Sequence, residues 1–492
     1  YYKELWTNEN ETDTLDTKEE ESTVDPIDME ELEEILNTFK NKKSPGSDEL
    51  NIELIKYAPQ ETKRRFLEIM NVCWSSYTIP NEWRQAVICP IFKKGNRNDC
   101  NNYRGISLMN TAYKIYAKII TRRLNIISES LLEEEQNGFR KGRSCSDCIF
   151  IMQQVVQKRR EFNLPTYILF VDYVKAFDKV IRSKLWEIMR TTGYPEHLIH
   201  TIESLYKNSI ISIENGKGTR SRAEVINQGV KQRCPLSPVL FCIYMNDIIK
   251  AWQREITTGI EINDRVINTI LFADDQAVFG TSEDDLHRAA YKLNKAMAKY
   301  NLQIFTRKLK VIAFKGKAPL RCKIVIDNQI IEQVTGFNYL GFHISYSSNE
   351  DINNKLNKFR SMCGTIRRHQ GQKTLRSTQL KFYKVMAVPM LRYGCENWAT
   401  NRGDKRKIET AEMKFLRAVA GVSLLDHVKN EEIRRKLNIP SVNDLVESQK
   451  KNWHQHILRM DDKRLPKTAM QYVPRGRRDV GRPMTRWQDA FS

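Results

Sequence analysis

Three aspartates have the type and spacing to do chemistry. Asp172 closes the apolar run of "ILFVDYVKAFDKV", and Asp274 and Asp275 stand side by side in "LFADDQAVFG". Aspartates are common in turns, so apolar–Asp–Asp–apolar is also the pattern of an ordinary hairpin. A carboxylate at the end of one strand and two more in a hairpin turn converge if the strands are neighbours. Clustered carboxylates repel one another unless a cation neutralises them. Hard Mg²⁺ or Mn²⁺ is the natural partner, because it takes oxygen ligands and completes its shell with substrate phosphates. Two such ions, about 3.5–4 Å apart, stabilise the attacking and leaving oxygens of an in-line phosphoryl transfer. The residues point to metal-dependent nucleotidyl transfer.

The chain that must position them has 492 residues, 40% of them hydrophobic, enough for a sizeable core and more than one domain. Lys and Arg number 80 against 60 Asp and Glu, a formal net charge of +20. Such a surplus favours a polyanionic partner. No run approaches the roughly 18 apolar residues of a membrane span and no signal peptide opens the chain, so nucleic acid is the expected partner and no membrane is. The ten cysteines are scattered, and the one CxxC pair, Cys145 and Cys148, has no second pair or nearby His to complete a zinc site.

Residues 1–26 are acidic and polar and read as a flexible lead-in. "IDMEELEEILNTF" has helical spacing, and Pro45 and Gly46 break the basic turn after it. To about residue 345, helical stripes alternate with the strand-like runs "AVICPIF", "YILFVDY", "SIISIEN", "TILFADD", "VIAF" and "KIVI". That mixture predicts an α/β or α+β core with part of the sheet antiparallel. Past residue 350 the pattern is helical. The basic C-terminal "VPRGRRDVGRPMTRW" reads either as a solvated tail or as a nucleic-acid arm with Trp487 available for packing.

At these motifs the chain resembles the reverse transcriptase of a non-LTR (LINE-type) retrotransposon. "FVDYVKAFD" is similar to the family's first catalytic motif, "GVKQRCPLSPVLFCIYMNDI" to the next, and "FADD" to its aromatic-x-Asp-Asp box. Upstream, "IPNEWRQAVICPIFKKG", "NNYRGISLMNTAYKIYAKII" and "EEEQNGFRKGRS" resemble its fingers motifs; downstream, "FNYLGFHI" resembles the turn leading to its thumb. "WHQHILRMDDKRLPK" and "GRRDVGRPMTRW" are similar to the ends of some elements of this type. The motifs run in family order from about residue 28.

The resemblance implies an α+β right-hand polymerase fold of fingers, palm and thumb with a mainly helical C-terminal region. Fingers and palm would occupy 27–345 (core about 75–345), the thumb 346–425 and a basic region 426–492. Asp172, Asp274 and Asp275 would be the catalytic metal ligands for two Mg²⁺ or Mn²⁺ ions, with a backbone carbonyl of Val171 or Tyr173 assisting. Phe177 would be the steric gate against a ribose 2′-OH, and Gln232 would pack near the incoming nucleotide. Arg104 and Arg140 fall in phosphate- and template-contacting segments, a role suited to the planar guanidinium. Lys308 would protonate the leaving pyrophosphate. Lys93, Lys94, Arg143, Arg477 and Arg478 would hold nucleic acid through phosphate contacts.

Three positions depart from the family pattern. Arg233 stands where Gly is usual, Phe305 where Asn is, and Leu309 where Thr or Ser is. The expected function is an RNA-directed DNA polymerase that extends a primer 3′-OH with dNTPs on an RNA template. The alternative is an impaired remnant that only binds nucleic acid. A group II intron maturase shares the palm, but the Phe of "FADD" and the C-terminal "GRP" argue against it. Such an element implies an endonuclease domain upstream, missing from this chain, and an intracellular, nuclear site of action.

Overall fold

The apolar run ahead of Asp172 becomes the middle strand of a sheet. The structure is a computed structural model, and it describes residues 1–9, 11, 25–215, 218–263, 265–346, 350–370, 374–478, 481 and 484–491. The chain forms two compact units. The first comprises Tyr1–Gly142, Tyr173–Ile256 and Lys292–Phe305; the second Arg143–Asp172, Thr257–Tyr291 and Thr306–Ser492. They take turns along the chain, cutting across the consecutive blocks expected from the sequence.

In the second unit, Pro165–Val171 lies between Lys310–Lys315 and Asp275–Gly280, antiparallel to both, with Thr269–Phe272 beyond Asp275–Gly280. Tyr167, Ile168, Leu169, Phe170 and Val171 are all buried. A strand with neighbours on both sides has partners for its backbone polar groups, so burial leaves none unsatisfied. Ile168 and Phe170 join Ile149, Met152 and Val156 of the helix Cys145–Glu161 in one apolar cluster. That helix starts with a capping box, Ser144 and Asp147 each serving the other's backbone N–H. The same cluster continues through Phe342 and Ile344 into Leu356 and Phe359 of the helix Glu350–Gln370 and Leu416 of Arg402–Ala420. Helices Asn430–Leu437, Val442–Arg459 and Leu465–Gln471 follow, so this end of the chain is mainly helical as expected.

The first unit holds a four-stranded sheet in the order Tyr103–Met109, Gln85–Phe92, Ser209–Ile213, Glu224–Ile226. Its helices include Thr111–Leu131, whose Ile115, Ile119, Ile120 and Leu124 are buried at helical spacing, and Ser237–Arg254. Gly46 is required where the "SPG" turn meets the start of Thr111–Leu131, since a Cβ there would lie 2.5 Å from Asn110 N.

Two expectations about the ends change. Residues Tyr2–Trp6 are a short helix, not flexible lead-in: Tyr2 and Trp6 pack with Ile88, Ile211 and Ile226. The aromatic anchors precede the acidic run, and composition averaged over the whole stretch hid them. Most of that acidic run, 12–24, lies outside the described residues. At the other end Trp487 is neither in a solvated tail nor on a free arm. It is buried, stacks edge-on against Phe150 at 4.7 Å, and its Nε1 donates to the Glu396 carbonyl at 2.6 Å. Part of the "GRRDVGRP" stretch, 479–480 and 482–483, lies outside the described residues. No helix among the described residues is long and apolar enough to cross a membrane.

Candidate active site

Strand register brings the three aspartates to one end of the second unit's sheet. Val171 pairs with Gln276, so the next step of that antiparallel ladder sets Asp172 opposite Asp275. Phe272 pairs with Asp275, which leaves Ala273 and Asp274 as a two-residue hairpin loop. Ala273 takes φ +58, the left-handed backbone that tight hairpins demand and that L-residues adopt at a cost of about 1 kcal/mol. The sharp turn leaves Asp274 half-buried and Asp275 exposed where the apolar part of the strand ends. The pattern that is also an ordinary hairpin is indeed a hairpin, and it faces a third carboxylate.

The charges at this strand end act on one another. Partial desolvation, followed by the charges of Asp274 and Asp172, pushes the Asp275 carboxyl up to about 6, although the side chain keeps access to solvent. The Asp275 backbone carbonyl accepts from the Tyr339 hydroxyl at 3.3 Å, a support given no role from the sequence. Lys308 is here too, in the turn Thr306–Lys308, with Nζ 2.6 Å from Asp172 Oδ2. Among the described residues no three acidic, His or Cys side chains already converge as a ligand set. The donors nevertheless fit a hard divalent cation: they are carboxylate oxygens whose mutual repulsion, read in Asp275, a cation would relieve.

Phe177 and Gln232 belong to the first unit. Its "VKAFD" segment forms a one-turn 3₁₀ helix, Ala176–Asp178, laced to the turn carrying Gln232: Val230 N donates to the Phe177 carbonyl at 2.9 Å and Gly229 N to that of Val180 at 2.9 Å. Phe177 is half-buried and stacked on Phe241, ring centroids 4.2 Å apart. Gln232 Nε2 donates to both carboxylate oxygens of Asp178, at 2.9 and 3.1 Å. Asp178 is buried and also accepts from Trp6 Nε1 at 2.9 Å. Neither Asp178 nor Trp6 stood out in the sequence. The signal lay within the quoted motif, as a second Asp six residues after Asp172.

Arg233 sits at φ +76 with its side chain exposed. The backbone there is one that glycine adopts freely, a reason for Gly beyond close approach to a ligand.

The remaining basic residues divide. Arg104 is exposed on the strand Tyr103–Met109, and Lys93 and Lys94 are exposed just after Gln85–Phe92. Arg140 departs from its expected role. Its side chain is 4% exposed, and its guanidinium pairs with Glu129 at 2.8 Å and donates to the carbonyls of Glu129, Glu133 and Gln136. Those carbonyls end the helix Thr111–Leu131 and the loop after it, so the planar fork that suits phosphate is used as an internal clamp. Arg143 is half-buried two residues before Cys145–Glu161. Arg478 is exposed but engaged, 3.1 Å from Glu161 and over the Phe162 ring, while Arg477 is exposed.

Comparison with known proteins gives the family of the chain. Residues 91–344 match the family model described as reverse transcriptase (RNA-dependent DNA polymerase). The chain belongs to that family, whose members generally use divalent metal ions. It is similar to the RNA-directed DNA polymerase from the mobile element jockey of Drosophila funebris, 24% identical over 449 residues, covering 88% of this chain and 48% of that protein. It is also similar to the Pol polyprotein of the type-1 retrotransposable element R2 of Popillia japonica, 24% identical over 385 residues, covering 76% of this chain and 52% of that one. The resemblance to non-LTR retrotransposon reverse transcriptases and the α+β polymerase fold expected with it are borne out. The chain spans about half or less of the length of these curated relatives. Among solved structures, telomerase from Candida albicans in complex with a fragment of telomeric RNA aligns with a TM-score of 0.42 at 9% identity, over 73% of this chain and 67% of that one.

Proposed function

We propose that the chain is the RNA-directed DNA polymerase of a non-LTR retrotransposon, extending a primer 3′-OH with dNTPs on an RNA template. The observation that carries this reading is the register that sets Asp172 across from Asp275 beside Asp274, in a chain of the reverse transcriptase family. Asp172, Asp274 and Asp275 would hold two Mg²⁺ or Mn²⁺ ions. Bound there, such ions supply positive charge for the attacking and leaving oxygens of phosphoryl transfer. Lys308 Nζ, now on Asp172, is suited to giving a proton to departing pyrophosphate. Phe177 presents a ring as the gate against ribonucleotides. The exposed Arg104, Lys93 and Lys94, together with Arg143 and Arg477, suit phosphate contacts with template and primer, to which the net charge of +20 adds a general attraction. An intracellular, nuclear site of action goes with this reading, because genomic DNA is where a mobile element inserts.

The test is incorporation of labelled dNTPs on a homopolymer RNA template carrying a complementary DNA primer, with Mg²⁺ or Mn²⁺. A polymerase incorporates the complementary nucleotide. A protein that binds the RNA and incorporates nothing is the nucleic-acid-binding remnant instead.

A further inference from the structure

Gln232 is not placed by its own backbone alone. Its amide meets a carboxylate buried inside the first unit, and that carboxylate is itself held by the N-terminal segment. We propose that Asp178 is a positioning residue for nucleotide binding: clamped by Trp6, it fixes the Gln232 amide with Nε2 inward and Oε1 left to accept a hydrogen bond from the substrate.

The chemistry is one of obligatory polarity. An ionised carboxylate only accepts, so the NH₂ group of Gln232 must face Asp178, and the carbonyl oxygen must face the other way. The two contacts, 2.9 and 3.1 Å, span both carboxylate oxygens and so fix the plane of the amide as well as its direction. Among the described residues Gln232 Oε1 has no hydrogen-bond partner, while the side chain is only half-buried.

Asp178 cannot easily turn away. Trp6 Nε1 occupies the same Oδ1 at 2.9 Å, and Trp6 is locked by its packing with Tyr2, Ile88, Ile211 and Ile226. The Asp178 backbone is held as well. Its carbonyl accepts from Gln228 Nε2 at 3.3 Å, and Gly229 lies so close that a Cβ there would be 2.9 Å from that oxygen. Burial raises the Asp178 carboxyl while the Trp6 and Gln232 donors pull it back, which makes both contacts energetically necessary to the ionised form. The helix Tyr2–Trp6 thus acts on a nucleotide-facing side chain through one intermediate.

The inference rests on the proposed polymerase function, and the experiment separates the two. Full-length parent, Asp178→Asn, Gln232→Ala, their double variant and Trp6→Phe are compared by thermal melting and by steady-state dNTP incorporation on one RNA template. Asp178→Asn leaves one acceptor where there were two and sets an NH₂ group against the donors. It should raise KM for dNTP about fivefold, the worth of a hydrogen bond, and change kcat less. Trp6→Phe should move KM in the same direction. In the Gln232→Ala background Asp178→Asn should have no further effect on KM, because the residue acts only through Gln232. Equal effects of Asp178→Asn on KM in both backgrounds would overturn the proposal, as would a fall in kcat with KM unmoved. If the parent incorporates nothing, the polymerase reading fails by itself. The melting temperatures then still decide the pairing: losses that are less than additive uphold it, and strictly additive losses overturn it.

Discussion

Lys308 Nζ lies 2.6 Å from Asp172 Oδ2, so one of the three carboxylates of the site is already neutralised by a side chain. With 55% of the Lys308 and 37% of the Asp172 side chain exposed, the pair is a surface ion pair worth about 0.2–1 kcal/mol. A divalent cation must compete with it. Lys308→Met should therefore tighten Mn²⁺ binding by up to about fivefold, that energy expressed as affinity. It should also slow turnover if Lys308 gives pyrophosphate its proton, as proposed. Calorimetric titration of both proteins with Mn²⁺ checks the first effect; unchanged or weaker affinity in the variant would show that Lys308 does not compete.

Asp275 supplies a pH signature. Its carboxyl is pushed up to about 6, while an unfolded chain would titrate it near 3.9. Between those values the folded state binds more protons than the unfolded one, so this group makes the metal-free protein less stable as pH rises through about 4 to 6. Mg²⁺ added at pH 6 should draw the carboxyl down and release protons, and Asp275→Asn should release fewer. A pH-stat titration in which the parent releases none would contradict the clustered-carboxylate picture.

Arg233 pairs an L-residue with φ +76. Relief of that backbone by Arg233→Gly should raise stability by about 1 kcal/mol, the cost of left-handed backbone less the entropy glycine adds to the unfolded chain. Removing an exposed cation next to Gln232 should also raise dNTP incorporation, if the long side chain obstructs the substrate. Melting and incorporation measured on the same preparations separate the two effects. A variant that is more stable and no faster would leave the strain argument standing and discard obstruction.

Arg140→Ala should cost about 2–3 kcal/mol of stability, because a nearly buried guanidinium leaves several carbonyls and Glu129 without their donor. KM for dNTP, measured below the melting range, should stay near the parent's. A KM shift without loss of stability would return Arg140 to the nucleotide.

These outcomes follow how the chemistry was written in the chain. Asp172, Asp274 and Asp275 were legible because their chemistry sits at the ends of short apolar runs, and strand ends are where a carboxylate can leave a core. Lys308 was legible through its place in the motif order, though not its pairing with Asp172, which depends on where the turn Thr306–Lys308 comes to lie. Arg140 shows the opposite case. Its motif suggested phosphate, but an arginine beside a helix end has carbonyls within reach, and only the packed geometry shows that it uses them. Asp178 and Trp6 are 172 residues apart, and no local pattern couples an indole in a short N-terminal helix to a carboxylate in a 3₁₀ turn. The same holds for Trp487, whose anchors Phe150 and Glu396 are distant in the chain.

The central claim is that Asp172, Asp274 and Asp275 together hold the metal ions for nucleotide addition. Single-turnover extension of a DNA primer on an RNA template, run with parent, Asp172→Asn and Asp274→Asn alongside RNA binding, tests it most directly. Loss of extension by at least a thousandfold in both variants, with RNA affinity within about twofold of the parent, is the expected result for removing a ligand from a two-metal site. Extension by either variant at the parent's rate would contradict it.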